Sequence, residues 1–362
     1  MEKLLTIVIP VYKVEAYINK CLDSLIIDPA LMEKMDVLIV NDGTPDNSAE
    51  MSREYVKRFS GVFRQIDKEN GGHGSVWNLG VREAYGKYVK FLDSDDWLEN
   101  LDAMVRKLEQ TDADLIITSC IAHCPGDVLW KLEIKDMEFD HVYDADKFDW
   151  LGNRSHWNYI FHHCAIYKTE MFRQYLPLFL EKQPYDDSIL GAAPIIGAKT
   201  LVAWDLEVYH YLMDREGQSI STAVQMRNLK AMVKVQQSTI EFIEAHPIAD
   251  PASTKKAYFD VKLPKFYAYG YRAFVDTLPY KEAKQFVKEW DRWMRERNSD
   301  VHPVWMRIYR TLPFSLYRWT YKCFLKLRSL YFKINTDPPE AMEESQPVFQ
   351  GRCHRKTADR PE

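Results

Sequence analysis

The stretch Val89-Lys90-Phe91-Leu92-Asp93-Ser94-Asp95-Asp96-Trp97 sets three carboxylates directly after an apolar run. Carboxylates at i and i+2 beyond a buried strand can turn into one crevice and share a hard divalent cation, Mg²⁺ or Mn²⁺, which takes oxygen ligands and leaves positions open for phosphate oxygens. The chemistry this points to is a metal-assisted reaction of a phosphorylated ligand. The same residues also suit a plain turn, with Asp96 capping a helix that starts near Trp97. An apolar strand ending in Asp-x-Asp further suits a phosphohydrolase with Asp93 as nucleophile.

The elements that must position these acids follow from periodicity. Thr6 to Val11 reads as a strand, Val14 to Ile27 as a helix, Asp36 to Val40 as a second strand and 47–59 as a polar helix. A short strand over 62–66, a helix over 75–85, the acid-bearing strand, a helix over 99–110 and a strand over 114–119 complete the series. Strands alternating with helices predict an α/β fold, a mostly parallel sheet flanked by helices. Ligands then bind at the carboxyl ends of the strands. Polar or turn-forming residues stand at each such end: Pro10-Val11-Tyr12, Asp42, Asn70-Gly71-Gly72-His73-Gly74 and Asp93-Ser94-Asp95. The glycine run permits positive φ, so its N–H groups, Gly72 among them, are expected to cradle a diphosphate at the next helix N-terminus. It has neither dinucleotide-fingerprint nor P-loop spacing.

The bulk numbers narrow the class. A chain of 362 residues, 46% hydrophobic and 28% charged, can bury a substantial core. A net charge of -5 argues against a dedicated nucleic-acid binder. Six cysteines without a regular framework read as reduced thiols of a cytosolic protein. Cys120, His123, Cys124, His162, His163 and Cys164 are zinc-ligand types, but their spacing follows no usual zinc pattern, and His162 and His163 read as half-buried strand residues. The N-terminal apolar run reads as a first strand and not a signal peptide, and no run approaches the ~18–20 apolar residues of a membrane span, so a cytoplasmic location is expected.

Thr6-Ile7-Val8-Ile9-Pro10-Val11-Tyr12, Val40-Asn41-Asp42-Gly43-Thr44-Pro45-Asp46, Asn70 to Asn78 and Phe91 to Asp96, in that order, resemble the family 2 glycosyltransferases of GT-A fold. The resemblance implies transfer of a sugar, with inversion, from a nucleotide donor such as a UDP-sugar to a glycan or lipid-linked acceptor in surface-polysaccharide synthesis. It implies that Asp42 contacts the base, that Pro10 and Tyr12 line the nucleoside pocket, and that Asp93 and Asp95 lie at the diphosphate, with Asp95 the more direct metal ligand. Asn70 and Asn78 join as site candidates. The family commonly has Ala-Arg-Asn where this chain has Val76-Trp77-Asn78, so an arginine contact is missing, and His73 or Lys68 would have to replace it. Trp77 is also the one hint of a sugar-nucleotide-binding module without turnover.

In Asp186-Asp187 the resemblance implies a helix start below the acceptor, with Asp187 as the catalytic base; N-capping by either residue is the competing role. Tyr209 to Ser221 resembles the segment that closes the family's catalytic domain, where a loop would bring His210 or Arg215 over the diphosphate. The expected organisation is a catalytic domain over 1–222, with a nucleotide-binding half to 120 and an acceptor half beyond. A helical region over 223–334 and a disordered tail over 335–362 follow. From Pro303 to Ile334 basic and aromatic residues alternate without an acid, which fits an anionic membrane surface, packing on the protein, or stacking on RNA. Oligomeric state has no signature in the sequence.

Overall fold

The computed structural model describes residues 3–334 apart from 125, 127, 133, 135–136, 152–159, 214–227, 273 and 298–302. Strands β1 (Lys3–Val11), β2 (Met35–Asn41), β3 (Phe63–Asp67) and β4 (Gly86–Phe91) alternate with helices α1 (Ile18–Asp23), α2 (Pro29–Met32), α3 (Ser48–Arg58) and α4 (His73–Glu83). These four strands are parallel, in the order β3-β2-β1-β4, with Val11 opposite Asn41 and Asn41 opposite Asp67. Their carboxyl ends therefore share one edge of the sheet. Leu5, Ile7, Val8 and Ile9 of β1 and Val37 to Val40 of β2 have no exposed surface. Full burial on both faces explains why these strands read as continuous apolar runs, each such side chain contributing about 1.5–3 kcal/mol.

Beyond β4 the sheet changes character. After β5 (Trp97–Leu98) and α5 (Leu101–Leu108) come β6 (Leu115–Cys124), β7 (Val128–Leu132), β8 (Val142–Asp144), β9 (Ala165–Lys168) and β10 (Thr200–Leu212). β9 inserts antiparallel between β4 and β6, and β10 runs parallel to β6 but antiparallel to β5. The expected mostly parallel sheet thus describes its first half. A four-residue strand inserted from more than 40 residues downstream leaves no local periodicity to read.

Asp96 does not cap a helix. Trp97 and Leu98 are a strand, α5 begins at Leu101 behind Asn100, and the Asp96 carboxylate accepts bonds from the Tyr209 hydroxyl (2.7 Å) and the Leu212 amide (2.8 Å). It ties the acid loop to β10. Cys21, Cys120, Cys164 and Cys323 are free thiols.

The chain divides into two compact units, one built on Met1–His246 and the other on Pro247–Pro347, so the helix Leu229–Ala245 groups with the sheet. In the second unit helices Thr254–Arg272, Tyr280–Arg295, Val304–Thr311 and Phe314–Ile334 pack around Tyr271, Trp290 and Tyr317. Asp291 there accepts bonds from the Tyr271 hydroxyl (2.6 Å) and from Arg295 and Arg310 (2.7 Å each). Pro264 lies inside the continuous helix Thr254–Arg272. Among the described residues no helix is long and apolar enough to cross a membrane. The tail 335–362 lies outside the described residues.

Candidate active site

At the end of β2, Asp42 is 3% exposed, and its carboxylate accepts the Lys68 ammonium (2.7 Å) and the amides of Gly71 and Gly72 (2.8 Å each). The Asn70 side chain donates to the Asp42 carbonyl at 3.0 Å. Two of the amides expected to cradle a diphosphate, that of Gly72 included, are therefore committed to Asp42, which anchors the glycine loop. Gly72 has φ +79°, and a Cβ there would stand 3.2 Å from the Lys182 backbone. At Gly74 a Cβ would stand 2.3 Å from the Leu180 carbonyl and 2.7 Å from an Asp186 carboxylate oxygen, so only glycine lets that segment approach α4. Removing the anchor strands two amides and an ammonium. Asp42→Ala should lower unfolding free energy by about 3 kcal/mol in urea titrations, and Asp42→Asn by about 1 kcal/mol.

Pro10 sits in β1 opposite Val40, and Tyr12 follows the strand with 43% of its surface exposed. Asn78 is 1% exposed. Its amide donates to the Phe179 carbonyl at 2.7 Å, and its oxygen accepts the amides of Leu178 and Phe179 at 2.9 Å each. These bonds commit the side chain of Asn78, a site candidate in the sequence, to fastening the 178–180 segment.

The acids after β4 meet residues from three other segments. Asp93 Oδ1 lies 3.3 Å from His73 Nε2, and Oδ2 lies 3.3 Å from His162 Nε2. His73 Nδ1 in turn lies 3.2 Å from Asp186. Burial opposes charge on Asp93, but the His162 and His73 imidazoles overcome it and hold the carboxyl well below its usual range. His73 is driven well above the usual histidine value because Asp186 and Asp93 outweigh its burial. His163 goes the other way: burial, reinforced by His162, keeps its ring neutral. Burial, with Asp95 and Asp93 close by, raises Asp96 well above a normal carboxyl. Asp95 is half-buried in the same loop.

One ligand atom each of Asp93, His162 and His163 fall within 4.8 Å of one another, a spacing that suits a single metal ion. His162 is 3% exposed and its Nδ1 is a buried atom without a hydrogen-bond partner. These histidines occupy the turn before β9, not a strand, and that turn folds around Lys90. Lys90 is fully buried, and its ammonium, lowered by that burial to about 8, lies 3.2 Å from the His162 carbonyl and 3.3 Å from that of Ala165. The adjacent His162-His163 pair is the signal in the sequence that reading by strand alternation passes over.

Trp77 is core. It stacks on Phe91 with centroids 4.2 Å apart and packs against His73 (4.1 Å) and His162 (4.8 Å), so the residue in the arginine's place backs both imidazoles. Asp186 and Asp187 open a 3-10 turn, Asp186–Gly191, without a side-chain cap bond; Asp186 faces His73 instead. Asp187 is half-buried, and burial raises its carboxyl above the usual range, His162 opposing and Asp186 adding to the shift. His210 lies within β10, opposite Trp97, with its Nδ1 2.9 Å from His123 Nε2. It belongs to a strand and not to the expected loop over a diphosphate, and Arg215 lies outside the described residues.

Residues 6–176 match the sequence model of Glycosyl transferase family 2. Glycosyltransferase GlyA of Streptococcus pneumoniae is 24% identical over 315 residues, covering 83% of this chain but 43% of GlyA, so the chain spans less than half of that relative. Among solved structures, S. aureus TarS 1-349 in complex with UDP-GlcNAc superposes with a TM-score of 0.65 at 17% identity, over 89% of this chain and 92% of that one. Mannosyltransferase PcManGT from Pyrobaculum calidifontis, in complex with GDP-Man and Mn²⁺, gives a TM-score of 0.50 at 15% identity, over 93% and 84%. These likenesses show the GT-A fold. The likeness to glycosyl transferase family 2 is carried by residues 6–176, just under half of the chain, with the acid-tipped strand β4 at its centre.

Proposed function

We propose that this glycosyltransferase moves a sugar, with inversion, from a nucleoside diphosphate donor, first among them a UDP-sugar, to a hydroxyl of a glycan or lipid-linked acceptor in surface-polymer synthesis. The observation that carries the reading is the meeting of Asp93 with His162 and His163, beside a half-buried Asp187 whose carboxyl responds to His162, His73 and Asp93. That donor set fits a divalent metal: one ionised carboxylate, one imidazole with an orphaned buried nitrogen and one neutral imidazole. Imidazole ligation favours Mn²⁺ over Mg²⁺, which prefers oxygen. Asp93, His162 and His163 would hold the ion, with Asp95 the further acid in reach of the donor. A bound ion supplies neutralisation of the charge that grows on the departing diphosphate.

The chain's own residues divide the remaining work. Asp187 takes the acceptor proton as the new bond forms, a task suited to a carboxylate whose basicity burial has raised. His73, charged between Asp93 and Asp186, provides the cation that the family's arginine would bring; Lys68 is already committed to Asp42 and Ser75. Asp42 and Asn70 keep the glycine loop in shape around the base, with Pro10 and Tyr12 as the pocket wall. Thermal-shift measurements test this. UDP with Mn²⁺ at about 100 times Kd should add about 2.7 kcal/mol, a rise of several degrees, and Asp95→Ala should reduce it. Metal-independent shifts, or release of inorganic phosphate without nucleotide preference, would overturn the reading, the latter in favour of the phosphohydrolase. Binding of UDP without transfer from any UDP-sugar would identify an inactive module.

The helix Phe314–Ile334 supports a membrane-surface partner on the cytoplasmic face. Tyr317 and Tyr321 are buried within the second unit, while Leu316, Trp319, Phe324 and Leu327 are 43%, 62%, 39% and 67% exposed and stand among Arg318, Lys322 and Lys326. Apolar groups set among basic side chains suit anionic headgroups. Trp319→Ala with Leu327→Ala should weaken co-sedimentation with phosphatidylglycerol vesicles roughly tenfold, and neutral vesicles should bind neither protein.

A further inference from the structure

Residues 160–164, which deliver both histidines, form no regular ladder, yet every backbone carbonyl there and at Ala165, which opens β9, has a partner. Ile160 O accepts the Tyr167 hydroxyl at 2.6 Å, and Phe161 O accepts the amides of Cys164 and Ala165 at 3.0 and 2.9 Å. Cys164 O accepts the Thr118 amide and hydroxyl at 2.7 and 3.0 Å. The other three, of His162, His163 and Ala165, lie 3.2, 3.5 and 3.3 Å from a single atom, Lys90 Nζ. Lysine is suited to this because its ammonium carries three donors on one centre. Burying that ammonium in the interior of the sheet is costly, and its partners here are carbonyls and not a carboxylate. The recorded ladder between β4 and β9 stops at Val89 opposite Tyr167. Past that point Lys90 holds the chain to β4 by its side chain. Three residues further along the same chain is Asp93.

We infer that Lys90 is a positioning residue that folds the His162-His163 turn onto β4 and so sets both imidazoles against Asp93 for metal binding. The inference rests on the proposed metal site and adds to it the device that brings its two halves, separated by 69 residues in sequence, into register. Conservation of charge alone would not suffice, because the guanidinium of arginine is planar and longer and cannot gather three carbonyls at one point.

The test is a double-mutant cycle on the full chain, with Mn²⁺ titrated calorimetrically at fixed UDP into wild type, Lys90→Gln, His162→Ala and the double variant. Lys90→Gln should weaken Mn²⁺ about 10–100-fold, the range typical of residues that orient metal ligands. The double variant should be within about threefold of His162→Ala, since a mispositioned imidazole has little left to lose. Full additivity, or wild-type affinity in Lys90→Gln while His162→Ala has lost it, would overturn the inference. Lys90→Arg keeps the charge and serves if Lys90→Gln does not fold; it should weaken Mn²⁺ as well, and wild-type affinity would again count against the inference. Should Asp93→Ala and His162→Ala both bind Mn²⁺ as wild type does, the metal reading itself fails. The turn is then judged without metal: amide exchange at Cys164 and Ala165 should be at least about tenfold faster in the Lys90 variant than in wild type, and unchanged exchange would remove the positioning role too.

Discussion

Asp187→Asn should cut turnover with a nucleotide-sugar donor and acceptor by about 10²–10⁴-fold, while UDP and Mn²⁺ bind as in the wild type. Asparagine keeps the size and polarity of the side chain but cannot accept the acceptor's proton. The substitution therefore removes a transition-state contribution and leaves donor binding alone, and kcat and kcat/KM should fall together. The position of the acid limb gives a second check. Burial raises the Asp187 carboxyl above its usual value, so the base form is present above that raised value and is lost as pH falls through it. The acid limb of the rate profile should then lie above the ~3.9 of an ordinary aspartate and disappear in Asp187→Asn. A variant that retains half the wild-type kcat would exclude Asp187 as base.

The second large effect is expected at Asp93. Its carboxylate is shared by His73 and His162, and among the described residues it is the acid grouped with His162 and His163. Asp93→Ala removes the charged ligand and the carboxylate that the Nε2 atoms of His73 and His162 share. Loss of several kcal/mol of metal-mediated stabilisation corresponds to about 10³-fold or more in turnover. The Mn²⁺-dependent part of the UDP thermal shift should vanish with it. Nucleoside binding without metal should survive, because the glycine loop is anchored by Asp42, on a different strand. Retention of the Mn²⁺-dependent shift in Asp93→Ala would place the ion elsewhere.

These two carboxylates differ in how they could be found. Asp93 was legible because a buried parallel strand is a local pattern: consecutive apolar residues followed by acids, repeated at helix-length spacing, fixes which edge of the sheet the acids occupy. Asp42 and the glycine loop were legible for the same reason, although the sequence alone suggested amides free for phosphate and the folded chain has turned two of them onto Asp42. Asp187 was legible only through the resemblance of an Asp-Asp pair; its surroundings emerge when the 3-10 turn is seen beside His73 and His162.

The sequence by itself determined the four parallel strands, their polar ends and the position of the acid loop, since all of these follow from short-range periodicity and turn chemistry. Tertiary structure alone decided the partners of that loop. His162 and His163 reach Asp93 because β9 inserts between β4 and β6, an antiparallel pairing between segments some 75 residues apart, for which no local pattern exists. Trp77 became core and Asn78 a clamp because the 178–180 segment folds back over α4. Asp96 went to β10 instead of capping a helix because Tyr209 and Leu212 offered donors that only the closed sheet brings near. Lys90 stood in an apolar run and gave no sign of function there, because what it holds is a turn of backbone carbonyls, and carbonyls have no signature in sequence.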